Sequence, residues 1–129
     1  MKKETLNGFH VEEIEKIIRG ATEGELSHEL SSVIYSLGRD VENEVEYDYA
    51  FSKLLEIYET GNENVKTRVI GAFSMLAVLH KDIKTLDRSI VEPLVIETFS
   101  RANSANKYVI QDAVEDINFS LKWNLNLGI

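Results

Sequence analysis

A chain of 129 residues with a net charge of −8 and no cysteine has the size of one ordinary domain. The absence of cysteine excludes a disulfide scaffold, a thiolate metal site and a cysteine nucleophile. Its longest uncharged apolar stretch, residues 69–79, is too short to span a bilayer. We therefore expect a single domain over residues 1–129, located in the cytoplasm.

The negative charge is concentrated in the first half of the chain. Residues 1–64 contain 15 acidic and 6 basic side chains, a net charge of −9. Residues 65–129 contain 7 acidic and 8 basic side chains, a net charge of +1. An acidic half of this kind repels phosphate backbones and anionic membranes and attracts basic partners. The same charge can also serve solubility alone, so composition leaves both interpretations open.

Apolar residues at helical spacing predict three helices in the first half of the chain. The first ends near Gly20, and Thr22 with Glu25 has the spacing of a capping box at the start of the second. Gly38 is the predicted C-cap of the second helix, because glycine adopts a left-handed conformation without steric cost. The third helix is predicted to end before Gly61. The three apolar stripes are Phe9, Val11, Ile14, Ile17 and Ile18; Leu26, Leu30, Val33, Ile34 and Leu37; and Tyr47, Phe51, Leu54, Leu55 and Tyr58.

The fourth helix is predicted to be the centre of the domain. Asn62 or Asn64 can cap its N-terminus, and residues 69–79 within it contain no charge. A helix that is apolar on all sides must be covered on most of them. We therefore expect the other helices to pack around this one.

Two further helices and a short tail complete the predicted elements. Asp87 or Ser89 can open the fifth helix, and Pro93 lies either in its first turn or at a kink. Residues 123–129 alternate apolar residues with asparagine, which favours an extended tail packed on the last helix over a short strand. The inward stripe of the sixth helix is Ile110, Ala113, Val114, Ile117 and Leu121.

The helices form three pairs, near residues 9–38, 47–79 and 89–122. The pairs are about 40 residues apart, which is the period of two-helix solenoid repeats. At an offset of 41 positions, apolar residues of the second pair align with apolar residues of the third. The aligned residues are Leu55 with Ile96, Tyr58 with Phe99, Val69 with Ile110, Ala72 with Ala113, Phe73 with Val114, and Leu76 with Ile117.

The stretch FSKLLEIYETGNENVKTRVIGAFSMLAVL resembles a HEAT-type repeat. It contains an apolar first helix, an Asn-rich turn, the basic residues Lys66 and Arg68, and a second helix with Ala72 and Leu76. The stretch EPLVIETFSRANSANKYVIQDAVEDINFSL resembles the same repeat without the basic pair. The resemblance implies an all-α, HEAT-like right-handed solenoid of about three antiparallel helix pairs.

HEAT-type repeats usually serve as binding surfaces, so this resemblance implies a protein that binds another macromolecule. In size, charge and predicted fold the chain also resembles the small immunity proteins of bacterial polymorphic toxin and contact-dependent inhibition systems. That resemblance implies a stoichiometric inhibitor of a toxin domain, often a basic nuclease. The alternatives are a helical-repeat scaffold or regulatory adaptor, and a nucleic-acid-binding helical repeat.

The catalytic inventory predicts neither an enzyme nor a bound cofactor or metal. His10, His28 and His80 lie on three different segments, and no two have the spacing of helical metal ligands. No phosphate-binding loop, dinucleotide fingerprint or nucleophile elbow occurs. The basic residues of the second half gather near turns, which could serve a nucleic acid, but aromatic residues do not alternate with them. These basic residues are Lys66, Arg68, Lys81, Lys84, Arg88, Arg101 and Lys107.

The densest local feature is the acidic segment, residues 40–49. Carboxylates steer a basic protein partner and accept bidentate contacts from arginine, and tyrosines add rigid contact area. The alternative is a solvated loop that leads into the third helix, with Tyr47 in the core. The alternation in this segment also allows a short strand, which would be compatible with an interface. The predicted partner-binding residues are Asp40, Glu42, Glu44, Glu46, Tyr47, Asp48 and Tyr49.

Overall fold

A computed structural model describes residues 9–21 and 25–127 of the chain. Within these ranges the protein forms six α-helices and no strand, which confirms the all-α prediction. None of the helices in the described ranges has the length and apolar character needed to cross a membrane. The helices are α1 (Val11–Gly20), α2 (His28–Arg39), α3 (Glu44–Thr60), α4 (Glu63–Leu79), α5 (Arg88–Arg101) and α6 (Ser104–Leu121).

Short polar side chains begin five of the six helices. Each accepts a hydrogen bond from a backbone amide of the first turn, which satisfies a donor that the helix itself leaves unpaired. The N-cap of α4 is Asn62 and not Asn64, and the N-cap of α5 is Asp87 and not Ser89. The N-caps of α2 to α6 are Ser27, Asn43, Asn62, Asp87 and Asn103.

Both predicted ends of α2 need correction. The N-cap is Ser27 rather than a box that starts at Thr22, a residue outside the described ranges. Gly38 lies inside the helix, whose C-cap is Asp40. Glycine at position 38 serves close packing instead: a Cβ there would lie 2.7 Å from the Cε of Met75 and 3.1 Å from the Cα and the carbonyl oxygen of Ala72, so these neighbours would have to shift. The residue therefore allows α2 and α4 to approach closely.

Helix α4 is the centre of the structure, as predicted. It contacts α2, α3, α5 and α6. Nine of its 17 residues are buried, and the two small polar ones among them, Thr67 and Ser74, do not interrupt its apolar surface. The large apolar residues of α4 thus form the core on which the other helices pack.

Pro93 lies inside α5, in its second turn, and its side chain is exposed.

Helices α4 and α6 run side by side in the same direction. The side chains of Asn64 and Asn106 form a 2.9 Å hydrogen bond near their N-termini, across a sequence separation of 42 residues. The Ser120 hydroxyl donates to the carbonyl of Ala77 near their C-termini, at 2.9 Å and a separation of 43. His80 Nε2 donates to the carbonyl of Arg39 at 3.0 Å, across 41 residues, and so joins the ends of α2 and α4.

The tail after α6 packs on that helix without forming a strand, as predicted for residues 123–127; residues 128–129 lie outside the described ranges. Trp123 and Leu125 are buried. The amide side chain of Asn118 accepts from the Leu125 N–H at 2.9 Å and donates to the Leu125 carbonyl at 3.0 Å. The left-handed conformation of Lys122, with φ 60°, turns the chain back onto the helix.

The central position of α4 leads to a stability test. Replacing Leu76, which is fully buried, with alanine should lower the free energy of unfolding by about 2–5 kcal/mol, because it removes buried methyl groups and leaves a cavity. Leu79→Ala on the same helix is the matched control, since Leu79 is 56% exposed. It should change stability by no more than about 0.5 kcal/mol. Urea unfolding measures both; equal losses would contradict a core centred on α4.

Candidate protein-binding surface

The acidic segment forms the corner between α2 and α3. Asp40, the C-cap of α2, accepts hydrogen bonds from the Arg39 guanidinium at 2.6 and 3.0 Å and from the Ser36 hydroxyl at 2.7 Å. The hydrogen bond from Arg39, and then that from Ser36, lowers the pKa of Asp40 below its ordinary value. The carboxylate of Asp40 is therefore engaged by side chains of its own helix.

Glu46 is fully buried, although it belongs to the densest acidic stretch of the sequence. Its backbone amide donates to the Asn43 side chain at 2.9 Å, and its carboxylate accepts from the backbone amide of Glu42 at 2.7 Å. This reciprocal arrangement has the logic of a capping box at the start of α3. The predicted role of Glu46 as a contact for a partner is thereby replaced by a role in beginning the helix.

The two tyrosines of the segment are largely turned away from solvent. Tyr47 is 3% exposed, and its hydroxyl has no hydrogen-bond partner among the described residues. Burial raises the pKa of Tyr47 to about 12. Tyr49 is partly buried and donates to the Glu15 carboxylate at 3.2 Å, and burial, followed by the charge of Glu15, raises its pKa. Tyr49 thus joins α3 to α1, where its ring also lies 5.8 Å from that of Phe9.

Three acids of the segment remain at the surface: Glu42, Glu44 and Asp48. The sequence prediction missed the cation that faces them. Lys84, from the connection between α4 and α5, places Nζ 2.6 Å from Asp48 and 3.7 Å from Glu44. The hydrogen bond with Asp48 raises the pKa of Lys84. Because all these side chains are solvent-exposed, the ion pairs are screened and easily exchanged for others.

Acidic residues also occur beyond this corner, on the odd-numbered helices α1, α3 and α5. Together these helices carry ten acidic and five basic residues, a net charge of −5. The even-numbered helices α2, α4 and α6 carry five acidic and four basic residues, a net charge of −1. Most of the excess is on α3, which has five acidic residues and one basic residue.

A groove of about 560 Å³ separates α3 from α5 within this acidic set. Tyr58 and Thr98 close its floor with a 2.8 Å hydrogen bond between their hydroxyls. The lining is apolar at Leu55, Ile90 and Leu94, acidic at Glu59, Glu63 and Glu97, and basic at Lys66 and Arg101. The groove therefore offers apolar contact next to a small excess of negative charge, which fits a basic side chain with an apolar stem.

The described residues contain no group of three or more histidines and carboxylates that could hold a metal ion. Four of the eight basic residues of the second half, Lys66, Lys84, Arg88 and Arg101, lie near acceptors. Lys66 donates to two backbone carbonyls that end α3, at 3.0 Å each, and Arg88 pairs with Glu92 at 2.6 Å. Arg101 lies 3.9 Å from Glu97. These cations stabilise helix ends and helix surfaces, and they do not form one continuous basic patch.

Comparison with known proteins gives no relative. No family model matches the chain, and neither a curated protein nor a solved structure does. The functional argument therefore depends on the residues and geometry described above.

Because the hydroxyl of Tyr47 is buried without a hydrogen-bond partner, we expect its removal not to destabilise the protein, unlike most substitutions of buried residues. Tyr47→Phe should leave the free energy of unfolding unchanged or raise it by about 1–3 kcal/mol, because a buried donor without an acceptor is removed. Tyr58→Phe is the matched control. It should cost about 0.5–1.5 kcal/mol, since it breaks the hydrogen bond to Thr98. Thermal and urea unfolding test both; a clear loss of stability in Tyr47→Phe would refute the assignment.

The contact between α1 and α3 generates a pH prediction. The hydrogen bond from Lys53, at 2.7 Å, is the largest cause of the lowered pKa of Glu15, to which Tyr49 also contributes. The ionised carboxylate therefore stabilises the fold above its ordinary value of 4.5, and this contribution is lost as pH falls through the lower folded pKa. Between about pH 6 and pH 3, Glu15→Gln should lose less stability than the parent protein. Glu13→Gln, on the exposed side of α1, is the control and should lose as much as the parent.

Proposed function

We propose that the protein is a stoichiometric protein binder whose acidic odd-numbered helices meet a basic partner. We further propose that this partner is a toxin nuclease domain, which the protein neutralises in the cytoplasm as an immunity protein. The observation that carries the proposal is the net charge of −5 on α1, α3 and α5 against −1 on α2, α4 and α6. An acidic surface of this kind attracts a basic partner and repels nucleic acid.

The architecture that we propose for this binder is a HEAT-like right-handed solenoid of three antiparallel helix pairs: α1 with α2, α3 with α4, and α5 with α6. Three contacts between elements of successive pairs support it, because each joins residues separated by about one repeat. They are Arg39 with His80, Asn64 with Asn106, and Ala77 with Ser120, at separations of 41, 42 and 43 residues. Tyr58 with Thr98, at a separation of 40, is the equivalent contact between α3 and α5.

The binding surface that we propose starts at the corner formed by Glu42, Glu44 and Asp48. Their carboxylates are exposed, and Lys84 is their principal cation within the chain. A partner's arginine can replace Lys84, because an exposed ion pair contributes little and exchanges readily. The groove between α3 and α5 extends the surface with apolar contact area beside Glu59 and Glu97. The exposed acids of the corner therefore steer a basic partner towards the surface, and the groove supplies the apolar area that the complex would bury.

The first experiment identifies the partner and tests the immunity role. The tagged protein is purified from its native host, and the proteins retained with it are identified by mass spectrometry. The partner is then expressed in a test bacterium with and without this protein. We expect the partner alone to stop growth and the pair to allow it. A retained partner that is harmless when expressed alone would point to a scaffold or adaptor.

The second experiment tests the surface. In one variant Glu42, Glu44 and Asp48 are replaced with Gln, Gln and Asn; in a control of equal charge change, Asp112, Glu115 and Asp116 on α6 are replaced with Asn, Gln and Asn. All six residues are exposed, so both variants should fold. Surface plasmon resonance at low salt should show association slowed about tenfold or more by the corner variant and little by the control. Added salt should remove the difference. Equal rates for the two variants would rule out the corner as the steering surface.

A further inference from the structure

A second groove, of about 400 Å³, opens on the even-numbered helices, between the first half of α2 and the middle of α4. The two helices approach closely where Gly38 meets Ala72. Before that point they leave a space whose edge is completed by Val109 of α6. The residues that line it and carry the argument are Ser31, Tyr35, Arg68, Gly71, Met75 and Val109.

Gly71 gives this groove a bare backbone. The residue lies in the middle of α4, where glycine is disfavoured relative to alanine. At Gly38 a side chain would collide with Ala72, but at Gly71 no atom lies within 4 Å of the Cβ that another residue would have. No contact within the described chain therefore requires glycine at position 71. A bare helix backbone allows a second chain to approach closely from outside.

The charge of the groove is opposite to that of the protein. Arg68 is exposed and, among the described residues, it pairs with no side chain and no carboxylate lines the groove, although the chain has a net charge of −8. An arginine in this setting is complementary to a carboxylate, which it can bind through two parallel hydrogen bonds. A single cation beside Met75 and Val109 does not match the several phosphates of a nucleic acid, which need more positive charge. The lining thus favours a peptide.

Exposed apolar side chains concentrate on the same set of helices. Of the nine large hydrophobic residues that are exposed among the described residues, six lie on α2, α4 and α6. Tyrosine, methionine and arginine, the residue types at this groove, are also the types enriched where proteins contact one another. The six residues are Tyr35, Val78, Leu79, Tyr108, Val109 and Phe119.

We propose that the groove between α2 and α4 binds a peptide segment of a second protein, which places an apolar side chain beside Met75 and a carboxylate on Arg68. The backbone of the segment passes over Gly71. This surface lies on the even-numbered helices and takes an acidic segment, so it is separate from the acidic surface and does not depend on the proposed immunity role.

The test uses the isotope-labelled full chain and two synthetic amphipathic peptides of equal length and equal leucine spacing, one with glutamate and one with lysine at the polar positions. Backbone amide shifts in NMR spectra report where each peptide binds. We expect the leucine–glutamate peptide to shift amides around Arg68, Gly71 and Tyr35, and the leucine–lysine peptide to leave them unchanged. The proposal fails if the leucine–glutamate peptide does not shift these amides, or if both peptides shift them equally. A single-stranded oligouridine that shifts them in place of the peptide would also overturn it.

Matched variants separate binding from folding. Arg68→Gln should weaken binding of the leucine–glutamate peptide by about tenfold or more, the loss of one charge-assisted contact, whereas Arg19→Gln on α1 should not. Gly71→Ala should raise the melting temperature by about 2–4 °C and yet weaken binding by at least about fivefold. Gly20→Ala, at a position with equally open surroundings on α1, is its control and should leave binding unchanged. If Gly71→Ala binds the peptide as well as the parent protein, close backbone approach at this groove is refuted.

Discussion

The burial of α4 is the constraint on which the rest of the structure depends. From residue 69 to its C-terminus this helix carries no charged side chain, so most of its circumference has to be covered by other helices. Helices α2 and α6 cover two sides, and α3 and α5 approach from the others. Contact with α2 is close enough that a Cβ at position 38 would lie 3.1 Å from the backbone of Ala72. On the even-numbered helices, the first half of α2 and the middle of α4 nevertheless leave a groove open to solvent.

Charge and exposed apolar surface are distributed differently over the two sets of helices. A position that faces α4 cannot carry a carboxylate without desolvating it, so the acids lie on the outer sides of the helices. Helix α3, which packs on α4, carries five acids, and four of them are exposed. The result is a strongly acidic surface on α1, α3 and α5 and a nearly neutral one, richer in exposed apolar residues, on α2, α4 and α6. Two chemically different surfaces can recognise two different kinds of partner.

The acidic segment shows that local charge density alone does not define a binding surface. Asp40 ends α2, Glu46 begins α3, and only part of the segment faces solvent. Acidic side chains are favoured at helix N-termini, because free backbone amides and the helix dipole stabilise them there, and Glu46 follows this rule. Asp40, at a C-terminus, is instead held by the side chains of Arg39 and Ser36. Glu42, Glu44 and Asp48 are the exposed acids to which we assign the proposed contact with a partner.

For the described residues, the sequence by itself determined the six helices and their apolar stripes, two candidate N-caps for each of α4 and α5, the central position of α4 and the tail packed on α6. These features depend on neighbours within a few residues or on the periodicity of one helix, which the sequence displays directly. Only the tertiary structure decided features that join distant positions. Gly38 looks like a helix cap until Ala72 is placed beside it, and Lys84 reaches Asp48 across 36 residues. The burial of Glu46 likewise needs the corner to be folded, because a carboxylate in a polar stretch becomes a buried cap only when the chain turns around it.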